Sequence, residues 1–338
     1  MSLRFALFLC LTPLFTTPIS NAADFVTHPG GEGPGKGKHV VFVSGDEEYR
    51  SEEGLPMLAK ILSKRHGFRC TVLFALDPDG TVNPRNNTSL PGADQLDTAD
   101  AMVLGLRFRK YPDAVMKHFA DAHKRGIPVV GLRTSTHSFL QDKGSYRGYN
   151  NFGRETLGEN WVSHWGSNHK YATRGIVADG AKGNELLSGV GEIFGDSGLY
   201  ETHPQPDSTI LLLGEVVNGL KTTDGPATHE LTRRSDGKKQ KANEPMMPLA
   251  WTRIAKLEGG KSNRVFCTTM GAATDLENEG LRRLIVNAVY WGFEMPIPAK
   301  ADVTYVDAYE PTAYGDRTHR KGIRPEDHAM GKVLPEGK

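Results

Sequence analysis

The segment Gly131-Leu132-Arg133-Thr134-Ser135-Thr136-His137 closes the apolar run Ile127 to Val130 with a guanidinium, hydroxyls and an imidazole in quick succession. Two other apolar runs end in the same way. His39 to Val43 leads into Ser44-Gly45 and then Asp46, Glu48, Tyr49 and Arg50, and Ala101 to Leu106 leads directly into Arg107 and Arg109. Planar guanidinium forks suit carboxylates, phosphates and paired hydroxyls. A carboxyl or imidazole beside them can move protons. Glu48, Arg133 and His137 are therefore the candidate catalytic residues, with Asp46, Tyr49, Arg107, Arg109, Thr134 and Ser135 as candidate substrate-binding groups. The same residue types would also serve a structural network in which Asp46, Glu47 and Glu48 pair with these arginines, because ion-pair networks and sites look alike in sequence.

Further along, an aromatic, glycine-rich stretch runs from Ser145 to Ser167, and His164-Trp165-Gly166-Ser167-Asn168-His169 overlaps its end. Long irregular excursions of this kind are usually functional, so His164 and Trp165 join the candidate binding residues. Tyr49, Trp161 and Trp165 suit sugar faces, and core packing accounts for them equally well. His164, His169 and a carboxylate could make a mononuclear divalent-metal site by ligand type, although the spacing is not that of a helical zinc motif. No metal and no other cofactor is expected. Ser135 and His137, two residues apart, are awkwardly placed for a nucleophile and its base.

Positioning these groups falls to alternating strands and helices. Continuous apolar runs at His39–Val43, Cys70–Ala75, Ala101–Leu106 and Ile127–Gly131 read as buried parallel strands. Helical spacing at Leu55, Leu58, Ile61 and Leu62, with Ser51 as cap, and again from Tyr111 to Arg125 ending at Gly126, supplies the crossovers. Such βαβ units give an α/β, doubly wound, mostly parallel sheet with helices on both faces. In sheets of this type ligands sit outside the carboxyl ends of the strands, where all three polar clusters fall. Later strands are expected at Thr209–Val217, Leu249–Thr252 and Arg264–Met270, and a closing helix at Gly280–Phe293.

At the amino terminus, residues 1–22 have a single charge, Arg4, an apolar core from Phe5 to Phe15 and small residues near Ala22. That layout is a signal peptide, too short in its apolar core to span a bilayer. Export to the periplasm or the outside is expected, with no membrane span after cleavage. Residues 23–37 read as a flexible Gly/Pro-rich lead-in, 38–298 as one domain and 299–338 as a polar extension. Losing Arg4 brings the formal charge from +1 to zero, so the electrostatic footprint of a nucleic-acid partner is missing. The basic run Arg233 to Lys241 reads as a solvated loop. Cys70 and Cys267 remain in the mature chain, with burial as small hydrophobes the default and a disulfide open.

Taken together, Val43 to Arg50, Leu106-Arg107-Phe108-Arg109, Pro128 to Phe139, Trp161-Val162-Ser163-His164, Trp251-Thr252-Arg253, Arg264 to Gly271 and Tyr290-Trp291 resemble the ThuA-like family, more narrowly its exported, planctomycete-type branch. The resemblance implies a flavodoxin-like fold related to class I glutamine amidotransferases. It also implies a link to carbohydrate, specifically trehalose or keto-sugar, utilisation. Aligned on Gly131-Leu132, the amidotransferase cysteine position is Arg133, and the later His-x-Glu position reads Gly271-Ala272-Ala273. An arginine cannot serve as a thiolate nucleophile, so glutaminase chemistry is not expected. Two readings follow for a small-molecule carbohydrate partner: a sugar-directed hydrolase or lyase, or a non-catalytic binding module on a decayed amidotransferase-like scaffold. Whether the chain forms a homo-oligomer stays open.

Overall fold

Strand formation follows the apolar runs, and the pairing gathers them into one sheet. A computed structural model describes residues 23–334; the expected signal peptide at 1–22 and the last four residues lie outside them. In chain order the strands are β1 (Phe25–His28), β2 (His39–Gly45), β3 (Arg69–Leu73), β4 (Ala101–Leu106), β5 (Val129–Leu132), β6 (Ser163–His164) and β7 (Ala172–Val177). They continue with β8 (Ile193–Gly195), β9 (Tyr200–Glu201), β10 (Thr209–Val217), β11 (Glu230–Thr232), β12 (Lys239–Lys241), β13 (Met247–Lys256) and β14 (Ser262–Thr268). Helices α1 (Ser51–His66), α2 (Asp113–Lys124) and α3 (Glu279–Gly292) complete the frame.

The central sheet runs β1-β3-β2-β4-β5-β14-β13-β10-β7-β8. Its middle, β3-β2-β4-β5-β14, is parallel, while β1 at one edge and β13, β10, β7 and β8 at the other pair antiparallel. Side chains alternate across the parallel strands. Val40, Phe42, Val72, Val103 and Phe266 pack with Leu55, Leu58 and Ile61 of α1 and Leu281, Leu284 and Ile285 of α3. Val41, Val43, Leu73, Met102, Leu104 and Val265 pack instead with Met116, Phe119 and Ala122 of α2. Both faces are thereby covered, as the near-continuous apolar runs require.

Three expectations are corrected, and two strands arrive unannounced. Where a flexible lead-in is expected over 23–37, Phe25–His28 forms edge strand β1 against β3, with Val26 and His28 buried. Ser51 does not cap α1: the cap position is Arg50 in a left-handed conformation, and the Ser51 hydroxyl accepts the Asp46 N–H at 3.0 Å. Strands β7 and β8 carry no period that announces them. The extension from 299 is a strap packed on the domain, with Ala301, Val303, Tyr314, Ile323 and His328 buried. Arg282 and Arg283 of α3 donate to the Val303 and Ala301 carbonyls, and Lys60 of α1 pairs with Asp307 at 2.7 Å. Cys70 and Cys267 are both buried and free, on strands separated by β2, β4 and β5, which closes the disulfide question. No helix among the described residues is long and apolar enough to cross a membrane.

Candidate functional site

Carboxyl ends of β2, β4, β5 and β14 deliver Asp46–Arg50, Arg107–Arg109, Arg133–His137 and Thr269–Ala273 to one edge of the sheet. The order of the parallel strands reverses between β2 and β4, and a switch point of that kind opens a crevice. Tight turns hold the clusters there. Arg50, Phe108, Arg133 and His169 have φ of 60°, 48°, 48° and 60°, which side-chain-bearing residues rarely adopt. Strained backbone of this sort concentrates at functional sites. Gly271 (φ 139°) lets the β14 turn pass close to Leu132, and its neighbour Met270 accepts the Arg133 N–H.

The inner layer is sealed from solvent. Arg133 is 1 % exposed and lies between the rings of Tyr49 and Tyr200, its guanidinium carbon 4.2 and 4.1 Å from their centroids. It donates to the carbonyls of Gly198 (2.8 Å) and Thr269 (2.7 Å), to the Tyr49 hydroxyl (3.0 Å) and to Asn168 Oδ1 (3.3 Å). Burial works against its charge, and the neighbouring Tyr200, Tyr49 and Asp275 more than offset that, so the group stays protonated. Arg109 is also 1 % exposed and is held by the carbonyls of Arg107 and Pro84 and by Glu47 at 2.8 Å. Thr134 donates to Asp46 at 2.6 Å, Asp46 accepts the N–H groups of Glu48 and Tyr49, and Ser135 donates to the Leu104 carbonyl.

These contacts correct part of the expected site. Arg133, Arg109, Asp46, Tyr49, Thr134 and Ser135 are the struts of the site, held by contacts inside the protein, although the buried Arg133 Nε has no partner among the described residues. Arg133 is out of reach of a ligand and is no catalytic candidate. Trp165 is a core residue, 3 % exposed, with its indole N–H on the Ala242 carbonyl at 2.7 Å. The structural network that the sequence left open exists in part: Glu47 pairs with Arg107 and Arg109 and Glu48 with Arg107, whereas Arg133 is held by uncharged groups.

An outer layer meets solvent. Glu48, Arg107, His137, Trp161 and Asn168 are half-buried, and His164 is exposed at the mouth while enclosed by protein on its other sides. Arg107 pairs with Glu47 at 2.5 Å and Glu48 at 3.2 Å. Asn168 donates to Glu48 at 3.2 Å and to the Tyr49 hydroxyl at 2.8 Å. The His137 ring stands 5.2 Å from Trp161 and 4.8 Å from Phe108, and His164 stands 5.2 Å from Tyr200. Burial pushes the Glu48 carboxyl up, against the pull of Arg107. Burial and then the charges of Arg107 and Arg133 hold His137 well below the ordinary imidazole value, and burial, Arg133 and Arg107 hold His164 down to about 4. Both rings are thus neutral at pH 7, opposite a carboxyl that retains its proton longer than usual.

Some contributors carry no signal that sequence reasoning could use. Asn168 sits between the two histidines of the aromatic excursion, which at least flagged its neighbourhood. Tyr200 arrives on the two-residue strand β9, paired with His164 of β6. Tyr314 and Asp316 come from the strap: the Tyr314 ring lies tilted 5.2 Å from Tyr49 and stacks 4.6 Å from His169, Gly315 N–H donates to the Glu48 carbonyl, and Asp316 lies 3.5 Å from Arg107. His169 stacks on Tyr314 and does not join His164 around a common point. Among the described residues no three His, Cys, Asp or Glu side chains are grouped so that they could hold a metal ion.

No protein-family model matches the sequence, and no curated protein is similar to it. ThuA-like proteins are among its structural neighbours. One, from Bacteroides uniformis, has a TM-score of 0.46 at 14% identity and covers 77% of this chain and 92% of its own. Another, from Parabacteroides merdae, has a TM-score of 0.46 at 13% identity and covers 83% of this chain and 95% of its own. A β-galactosidase from Rahnella sp. R3 has a TM-score of 0.40 at 11% identity, over 79% of this chain and 32% of its own.

Proposed function

We propose that the protein is an exported, ThuA-like, sugar-directed hydrolase or lyase acting on a small carbohydrate of the trehalose or keto-sugar type. The observation that carries this reading is the solvent-facing half-ring of Glu48, His137 and His164 around Arg107, Asn168 and Trp161. A carboxyl raised by burial and imidazoles kept neutral by neighbouring cations are a matched acid and base. Glu48 would protonate the departing oxygen and His137 would take the proton from the attacking or eliminated centre. Trp161 offers a ring face to the sugar, and Arg107 offers donors to its hydroxyls. We read the strand order of the parallel core as flavodoxin-like, with Arg133 at the strained turn where an amidotransferase would carry its cysteine. That substitution supports a chain without glutaminase activity.

A second reading has an observation of its own. The guanidinium of Arg133 is spent on internal carbonyls, which suits a binding module that has kept its scaffold and lost its chemistry. Incubating the mature chain with disaccharides and their keto derivatives separates the two. Product formed in step with ligand-induced thermal stabilisation supports the enzyme. Stabilisation without product overturns it in favour of the binding module, and neither response removes the carbohydrate reading altogether.

A further inference from the structure

We propose that the recess selects a carboxylate-bearing sugar, a sugar acid, and that Asp316 of the C-terminal strap is the internal competitor for Arg107. This rests on the carbohydrate reading above and adds the charge class of the ligand. The first ground is Arg133. All of its polar contacts are to uncharged groups, two carbonyls, a phenol and an amide, and its remaining faces meet aromatic rings. A buried guanidinium whose direct contacts are all neutral, with Asp275 and Glu48 acting on it only through space, leaves positive potential in a low-dielectric surround. His137 and His164 register that potential: after burial, the charges of Arg107 and Arg133 lower both rings.

The second ground is how Arg107 is shared. Glu47 divides its two oxygens between Arg107 and Arg109, and Glu48 lies to one side of the fork at 3.2 Å. The third acidic partner, Asp316, reaches Arg107 across the mouth at 3.5 Å, and its side chain is 61% exposed. An ion pair so long and so wet contributes little, so a ligand carboxylate can take its place. The strap thus already sets a carboxylate at the point where a sugar acid would bring one. Arg107, the arginine of the cluster that solvent reaches, can receive it at Nη1 where Asp316 now stands, with Glu47 and Glu48 keeping their places on Nη1 and Nη2.

Matched pairs test the assignment: glucose against glucuronate and lactose against lactobionate, titrated by calorimetry into the full mature chain, its Asp316→Asn variant and its Arg107→Gln variant. The acid of each pair is expected to bind at least about tenfold more tightly than its neutral partner. That preference should weaken with added salt and vanish in Arg107→Gln. Asp316→Asn should tighten the acids about threefold and leave the neutral sugars unchanged, with an unaltered melting temperature as its folding control. Neutral sugars binding as well as the acids would overturn the inference and leave the carbohydrate reading standing. Acids preferred equally by wild type and Arg107→Gln would overturn it too, because the charge would be read elsewhere. Binding of none of the four sugars overturns both readings.

Discussion

Arg133 answers two needs with one side chain. Its backbone makes the sharp, left-handed turn at the end of β5, and its guanidinium ties β14 and the segment at Gly198 to the Tyr49 turn. A lysine could not reproduce that fork. Glu52 presents the opposite situation. It is 2% exposed, both carboxylate oxygens lack partners among the described residues, and burial with the nearby Glu53 raises its pKa from 4.5 to about 8. The folded chain therefore keeps a proton that the unfolded chain releases above about pH 4.5. Stability from this group is lost as pH rises from about 4.5 to about 8. Glu52→Gln should remove that slope and stabilise the fold at pH 7 by about 2–3 kcal/mol. Denaturant midpoints at pH 5, 7 and 8 in matched buffers check it, and an unchanged slope would mean Glu52 ionises inside the fold.

At the scale of elements, the parallel strands and their helices were legible because a strand buried on both faces must be apolar throughout, and its end is marked by the first polar residue. That logic placed Asp46, Arg107 and His137 at the same sheet edge correctly. It could not separate struts from reachable groups, since Arg107 and Arg109 are two residues apart and differ only in which way the turn at Phe108 aims them. Trp161 and Trp165 show the same blindness: one lines the recess beside His137, the other lies in the core. Trp165→Ala should cost about 3–5 kcal/mol of stability. Trp161→Ala should leave the unfolding midpoint nearly unchanged and abolish sugar-induced stabilisation. Equal stability losses in the two variants would contradict that division.

The whole molecule closes only when the strap is in place. Arg50, at the lip of the site, donates to Thr312 and Ala313 and contacts the Thr318 carbonyl, and Glu53 accepts from Thr312. These contacts join residues more than 250 positions apart, so no local pattern announces them, and a segment without helical or strand period reads as a tail. Deleting residues 299–338 takes Asp307 from Lys60 and strips Arg50, Glu53 and Arg282 of their strap partners, leaving Arg50 and Glu53 only each other at 3.8 Å and Arg282 the Leu276 and Glu277 carbonyls. Leaving a buried charge unpaired is strongly destabilising, so the truncated chain should unfold several kcal/mol more easily or fail to accumulate. A truncation with wild-type thermal stability would show the strap to be an appendage.

The most direct measurement is the pH–rate profile of sugar turnover by the wild type, Glu48→Gln and His137→Asn, each at saturating substrate. Turnover should fall about 100-fold or more in each variant while ligand binding persists. In the wild type, activity should decline as pH rises through the raised pKa of Glu48 and hold on the acid side to below the ordinary imidazole value. Turnover by both variants at the wild-type rate, with the same profile, would contradict it.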